Sequence, residues 1–115
     1  DELLKIREAA GNILVSQEVK QFAIKIVLAT LPDSPYAVAE AKKYIRYGAS
    51  PRGVQALISG GKVLALRDGR FNLSNDDIRK ASLPALRHRI LLNFEGEANN
   101  METDGIISTI LKAMD

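Results

Sequence analysis

Hydrophobic residues recur at helical spacing along most of the chain, and the longest such stretch lies between Ser16 and Pro32. Ser16 is suited to cap a helix here and Pro32 to end it. One face of the stretch carries positions spaced as i, i+3, i+4 and i+7: Val19, Phe22, Ala23 and Ile26. A second face carries Ile24, Val27, Leu28 and Leu31. Because the predicted helix is apolar on two faces, we expect it at the centre of a small bundle.

Capping residues and prolines predict further helices on both sides of this one. A short helix is expected over residues 2–10, and another over residues 37–44. Ser50 suits an N-cap and Pro51 the first helical position, where the missing N–H of proline costs nothing. A helix therefore begins at this point, and its apolar spacing continues to Arg67.

The last third of the chain is predicted to hold two more helices. Residues 74–77 have the form of a capping box, with Asp in place of the usual Glu. They predict a helix that kinks at Pro84 and continues over residues 84–92. Residues 93–100 are predicted to form a polar, acidic loop, and a final amphipathic helix begins near Thr103.

Two short segments, residues 13–15 and 71–73, have the same form: a few residues of extended type, then a Ser and a helix. Side by side, they would make a minimal two-strand bridge. The predicted fold class is therefore all-α, a small helical bundle, with this bridge as an addition if the two segments pair.

Composition excludes several classes of function. The chain has 115 residues, of which 46% are hydrophobic, and this is enough for one domain with its own core. It has no cysteine and one histidine, which excludes disulfides, a cysteine nucleophile and metal sites built from thiolates or several histidines. Aromatic residues make up 5%, too few for stacking single-stranded nucleic acid. No apolar run has transmembrane length and the first residues are acidic, so we expect a cytoplasmic protein.

Candidate catalytic residues are absent from the pattern. Gly60-Gly61-Lys62-Val63 lacks both the earlier Gly and the following Ser or Thr of a P-loop, so we interpret its glycines as helix-packing positions. His88 lies between two arginines near a predicted helix end, where a structural role is expected. Asp76 and Asp77 are interpreted as helix-cap residues and not as metal ligands. We therefore predict no catalytic residue and no metal ligand in this chain.

The most informative segment is Gly48-Ala49-Ser50-Pro51-Arg52-Gly53, which places an arginine at the second position of a helix. The N–H groups and the dipole at a helix N-terminus attract anions, and a guanidinium matches phosphate oxygens. The competing interpretation is a surface arginine beside a well-capped helix. The residues alone leave both interpretations open.

The formal charge of +2 is unevenly distributed along the chain. Residues 42–89 carry eleven Lys and Arg against three Asp and Glu, whereas residues 90–115 carry one against five. An anion is therefore expected near Arg52. This basic middle would also suit a small helical DNA-binding module, although the helix after Gly53 offers few side chains that could read bases. A purely structural interaction domain is the third open alternative.

Four segments, taken together and in this order, resemble the C-terminal lid domain of MoxR-type AAA+ ATPases. They are Gly48-Ala49-Ser50-Pro51-Arg52, Ala65-Leu66-Arg67-Asp68-Gly69-Arg70, Asp77-Ile78 and Leu86-Arg87-His88-Arg89-Ile90. The likeness is strongest over residues 44–95. One departure is Leu31, which follows Thr30 where many relatives carry Arg.

The resemblance implies that residues 1–115 form one lid domain, which normally follows a nucleotide-binding core that this sequence lacks. It implies that Arg52 is the sensor-2 arginine, which contacts the γ-phosphate of ATP, with Ser50 and Pro51 shaping the helix start. ATP is the implied cofactor, and the core would hold its Mg²⁺. The sequence has no Walker A motif, so no ATPase activity is expected from this chain alone.

The resemblance also implies the partners and the role of the parent protein. The partners would be the AAA+ core and the neighbouring subunits of a ring, usually hexameric, and clients in this family often carry von Willebrand factor A domains. ATP hydrolysis would drive chaperone-like remodelling or maturation of those clients. Neither a membrane nor nucleic acid is expected as a partner. Arg70 and the His88-Arg89 pair match family positions and are interpreted as structural or inter-domain residues.

Overall fold

A computed structural model of the chain describes Lys5 and residues 11–114, so the helix predicted over residues 2–10 lies, apart from Lys5, outside the described residues. Within residues 11–114, six helices and two short strands follow one another. They are α1 (Gln17–Thr30), α2 (Ala39–Tyr44), β1 (Ile45–Tyr47), α3 (Pro51–Arg67), α4 (Asn75–Leu86), β2 (Leu91–Leu92), α5 (Phe94–Ala98) and α6 (Thr103–Ala113). The predicted all-α helical bundle is confirmed. None of the helices in this range is long and apolar enough to cross a membrane.

The core forms around α1, which contacts α3, α4 and α6. Ile26 of α1 and Leu57 of α3 are completely buried, as is Ile78 of α4. This is the central position that the two apolar faces of α1 predicted. Arg79 adds a link at the edge, because its guanidinium lies over the Phe22 ring and donates to the carbonyl oxygen of Leu111.

Two glycines of the α3–α4 hairpin lie close to neighbouring side chains. A Cβ atom at Gly61 would lie 2.8 Å from Cδ1 of Leu73, and one at Gly60 would lie 3.2 Å from Cβ of Ala81. Both glycines are inside α3. Their interpretation as packing positions is therefore confirmed.

Two small pieces of β structure support the bundle. Leu14 donates its N–H to the carbonyl of Phe71 at 2.8 Å and accepts from the N–H of Leu73 at 2.9 Å, which forms the predicted bridge as a parallel pairing. The second piece is an antiparallel ribbon of β1 and β2, with a bulge in its register. The sequence did not predict this ribbon.

Two predictions for the last third of the chain are wrong. The helix does not continue over residues 84–92, because α4 ends at Leu86 and the backbone of β2 pairs with β1 instead. Residues 93–100 are not a loop, because they contain α5. The Oδ1 atom of Asn93 accepts from the N–H of Gly96 at 2.7 Å and so caps this helix.

Candidate functional site

Arg52 occupies the predicted position, at the start of α3. Ser50 is the N-cap, and its Oγ accepts from the N–H of Arg52 at 3.2 Å. Pro51 is the first helical residue, as predicted. The side chain of Arg52 is exposed, and no hydrogen bond or ion pair engages it among the described residues. Its guanidinium is therefore available to a ligand.

The turn before α3 is fixed by Thr30, the last residue of α1. Its Oγ1 accepts from the N–H of Ala49 at 2.9 Å and donates to the carbonyl of Val27 at 2.6 Å, and the side chain is completely buried. Gly48 lies against the same residue, where a Cβ atom would be 2.3 Å from the carbonyl oxygen of Thr30. A side chain at position 48 would overlap the backbone of Thr30, so only glycine fits there.

Sequence reasoning missed Thr30 as a positioning residue. The sequence signal for this role was a threonine hydroxyl at the end of an apolar helix face. Such a side chain is expected to be buried, and a buried polar side chain needs a hydrogen-bond partner. Its partner, the N–H of Ala49, is 19 residues further along the chain. No local pattern spans that separation.

The expected anion site of free backbone N–H groups is not present at this helix end. Pro51 has no N–H, that of Arg52 is bonded to Ser50 Oγ, and that of Gly53 donates to the carbonyl of Ser50 at 2.7 Å. Tight capping has used the donors that a free helix end would offer. The attraction for an anion thus comes from the Arg52 guanidinium and from the helix dipole.

Two apolar grooves meet at Ser50. One, of about 640 Å³, lies beside Tyr36 and Tyr47 and includes Arg46. The other, of about 520 Å³, lies between α1 and α3 and includes Val54. Leu31 lines both grooves and contributes apolar surface to each of them.

Arg70 and Asp77 form a structural ion pair. The guanidinium donates to Oδ2 of Asp77 at 2.8 Å and to Oδ1 at 2.6 Å, and it also binds Asp68 at 3.0 Å. The Arg70 hydrogen bonds, with those from Ser74, lower the pKa of Asp77 to about 2 although burial opposes this. Asp77 is also the predicted capping-box residue of α4.

The arginines and histidine after α4 are surface residues. Arg87 makes a bidentate contact with Asp104, both bonds 2.9 Å long, and this keeps the pKa of Asp104 below its ordinary value. His88 is exposed, and Nε of Arg89 donates to the carbonyl of Ala85 at 3.1 Å. The contact with a helix carbonyl at this end of α4 is thus made by Arg89.

Asp76, the other aspartate of the capping segment, is exposed and pairs with Lys80 at 3.1 Å. In the part of the chain that the structure describes, no three His, Asp or Glu side chains come together in a way that could hold a metal ion.

Comparison with known proteins agrees with this geometry. The AAA lid domain family matches residues 38–110. Chaperone MoxR1 of Mycobacterium tuberculosis is 26% identical over 98% of this chain and 30% of its own length. Protein MoxR of Paracoccus denitrificans is 38% identical over 48% of this chain and 16% of its own length. The chain thus spans about a third or less of these relatives.

A solved structure shows the same fold. The crystal structure of a candidate ATPase from Cytophaga hutchinsonii superposes with a TM-score of 0.88 and 34% identity, covering 95% of this chain and 33% of that one. The family match covers most of the sequence, and the relatives share the MoxR name. The chain therefore belongs to the AAA lid domain family, as a lid of the MoxR type of AAA+ ATPase.

Proposed function

We propose that this lid reports the state of a bound nucleotide through Arg52, acting as the sensor-2 arginine of an AAA+ ATPase. The observation that carries the proposal is the exposed guanidinium of Arg52, held on a rigid turn and free of carboxylates among the described residues. Arg70 and Arg87, in contrast, are neutralised by Asp77 and Asp104. Their charges are not available to a phosphate.

The chemistry of a guanidinium suits this role. Two parallel N–H groups can bind two oxygens of a terminal phosphate, and a permanent positive charge compensates the negative charge there. ADP offers no γ-phosphate, so the contact distinguishes the two nucleotides. A ligand shifts a conformational equilibrium by its differential affinity for the two states, so this contact can bias the orientation of the lid.

The remaining parts of the ATPase would lie outside this chain. We propose a nucleotide-binding core that holds ATP and its Mg²⁺, and a ring of subunits in which the lid contacts its own core and a neighbour. The apolar grooves beside Ser50 are suited to such contacts. We further propose that the output is remodelling or maturation of partner proteins in the cytoplasm, including those with von Willebrand factor A domains. The name of the relative described as a chaperone supports the remodelling role alone.

The experiment is ATP turnover by an ATPase in which this lid is joined to its core. Arg52→Ala should lower turnover about tenfold to a hundredfold, the worth of one charge-assisted hydrogen-bonding contact. Arg52→Lys should recover only part of it, because an ammonium lacks the planar fork. Arg67→Ala is the matched control, an exposed arginine at the other end of α3. Unchanged turnover in a folded Arg52→Ala protein would refute the proposal.

A further inference from the structure

We propose that this lid associates head to tail with a second copy of itself through two complementary surfaces. The first, the acidic knob, consists of Phe94, Glu95 and Glu97. The second, the basic groove, lies between α3 and α4 with Lys80 and Arg89 at its rim. The inference concerns surfaces distant in sequence from Arg52 and does not depend on nucleotide sensing.

The acidic knob carries an exposed aromatic ring next to a turn that is held by hydrogen bonds. Phe94 is 88% exposed, more than any other large hydrophobic residue described. The preceding Asn93 bonds to the N–H of Gly96 and donates to the carbonyl of Lys43 at 2.8 Å, which fixes the turn that presents the ring. Glu95 and Glu97 are exposed, and neither makes an ion pair with another described residue.

The basic groove has space for such a ring. Its volume is about 490 Å³, and its walls are mostly small and apolar: Ala56, Gly60, Val63, Ala81, Pro84 and Ala85. Inside the groove, Gly60 approaches Ala81 so closely that a Cβ atom at Gly60 would lie 3.2 Å from Cβ of Ala81. Burial of a phenylalanine side chain is favourable, which gives the knob an apolar anchor.

The rim of the groove complements the charge of the knob. Arg89 uses Nε for the carbonyl of Ala85, and its other N–H groups meet no carboxylate among the described residues. Among the described residues, Lys80 forms an ion pair with Asp76 alone, and both side chains are well exposed. Ion pairs at the surface are weak. Both cations can therefore turn to carboxylates of a partner.

A second copy is the occupant that the charges favour. The same chain carries an acidic segment in residues 90–115 and a basic segment in residues 42–89. Knob against knob or groove against groove would bring like charges together, which is unfavourable. A contact between two different surfaces is heterologous, and repeated copies form a ring or an open filament.

Sedimentation velocity on the 115-residue chain tests this arrangement. Two variants each remove one surface: Phe94→Ala with Glu95→Lys and Glu97→Lys removes the knob, and Lys80→Glu with Arg89→Glu removes the groove. The wild type should associate as its concentration rises, and each variant should stay monomeric. Mixed together, the two variants should form a heterodimer, because each keeps one of the two native surfaces.

Three further variants make the test more specific. Phe94→Ala alone should raise the dissociation constant about thirtyfold, the effect of losing an interface anchor. Phe71→Ala with Lys25→Glu is the control, since it changes an exposed aromatic residue and an exposed cation elsewhere. Reversing the charges of both surfaces in one chain, with Phe94 kept, should restore association.

Three results would overturn the inference. The first is a wild type that remains monomeric up to about 1 mM, the weakest dissociation constant expected of a specific contact. The second is a variant that is folded by circular dichroism and associates as the wild type does. The third is a mixture of the two variants without heterodimers. A nucleotide response that depends on Arg52 would be unaffected by any of these, so the two proposals fail separately.

Discussion

Thr30 is the residue that connects α1 to the turn in front of Arg52. Its hydroxyl is buried and uses both its donor and its acceptor capacity, toward Val27 and Ala49. A valine would keep the shape of the side chain but leave the N–H of Ala49 without a partner. The position of Arg52 therefore depends on a hydroxyl group that never meets solvent.

We predict that Thr30→Val destabilises the fold by about 2 kcal/mol, the cost of one buried, unsatisfied donor. Thr109→Val is the matched control, because the Thr109 hydroxyl donates to Gly105 at the surface. Urea unfolding of both variants gives the two free energies. Equal losses would show that Thr30 contributes no more than a surface threonine.

Asp77 makes the free energy of unfolding depend on pH in the acidic range. Its folded pKa of about 2 lies below the ordinary 3.8, so its contribution is complete above the unfolded value and disappears as the pH falls toward 2. Asp77→Asn should cost about 2 kcal/mol at neutral pH and flatten the loss of stability between about pH 4 and pH 2. Asp76→Asn, at an exposed position, should do neither.

The experiment is urea unfolding of the wild type and both variants across that pH range. Asp104 also titrates below its ordinary pKa in all three proteins, so the difference between wild type and Asp77→Asn isolates Asp77. An Asp77→Asn protein with the same acid dependence as the wild type would contradict the assignment.

Predictions for single residues succeeded where local helix-capping chemistry alone decides the position of the residue. Ser50, Pro51 and Arg52 lie where helix-capping rules place them, and Asp77 caps α4 as the spacing predicted. The partners of Asp77 and Thr30 were not predictable. A salt bridge to Arg70 or a hydrogen bond to Ala49 is a property of the tertiary fold and leaves no periodic pattern.

At the scale of elements, α5 depends on a single capping side chain. Asn93 Oδ1 accepts from Gly96, and its Nδ2 donates to Lys43 at the end of α2, so one amide connects two helices. Gly96 then lies so close to α2 that a Cβ atom would be 2.7 Å from the carbonyl of Tyr44. The short helix is held by its neighbour.

Asn93→Ala should therefore destabilise the domain by about 2 kcal/mol, because it removes a helix cap and a hydrogen bond to α2 together. Asn99→Ala is the control, since that side chain donates only to Glu95 within the same short turn. Thermal unfolding followed by circular dichroism compares the two. A smaller loss for Asn93→Ala than for Asn99→Ala would contradict this explanation.

The long helices were predictable and the short elements were not, for a physical reason. α1 and α3 each bury one or more apolar stripes, which the spacing reveals. β1 and β2 are three and two residues long, too short to show an alternating pattern, and they pair across more than forty residues of chain. The predicted continuation of α4 to residue 92 is wrong, because the helix ends at Leu86 and the backbone of β2 pairs with β1.

On the scale of the whole molecule, one core connects the main helices to the turn that carries Arg52. α1 contacts α3, α4 and α6, and its last residue holds the turn before Arg52. Ser50 and Pro51, directly before Arg52, line apolar grooves. This arrangement would suit the proposed closing of the lid on a nucleotide bound elsewhere.

The most direct test of this account is nucleotide preference, measured by calorimetry on the lid joined to its core. A non-hydrolysable ATP analogue and ADP are titrated against the wild type and Arg52→Ala. We predict that the wild type prefers the ATP analogue, that Arg52→Ala weakens its binding about tenfold or more, and that ADP affinity is unchanged. A folded Arg52→Ala protein that keeps the full preference for the ATP analogue would contradict the account.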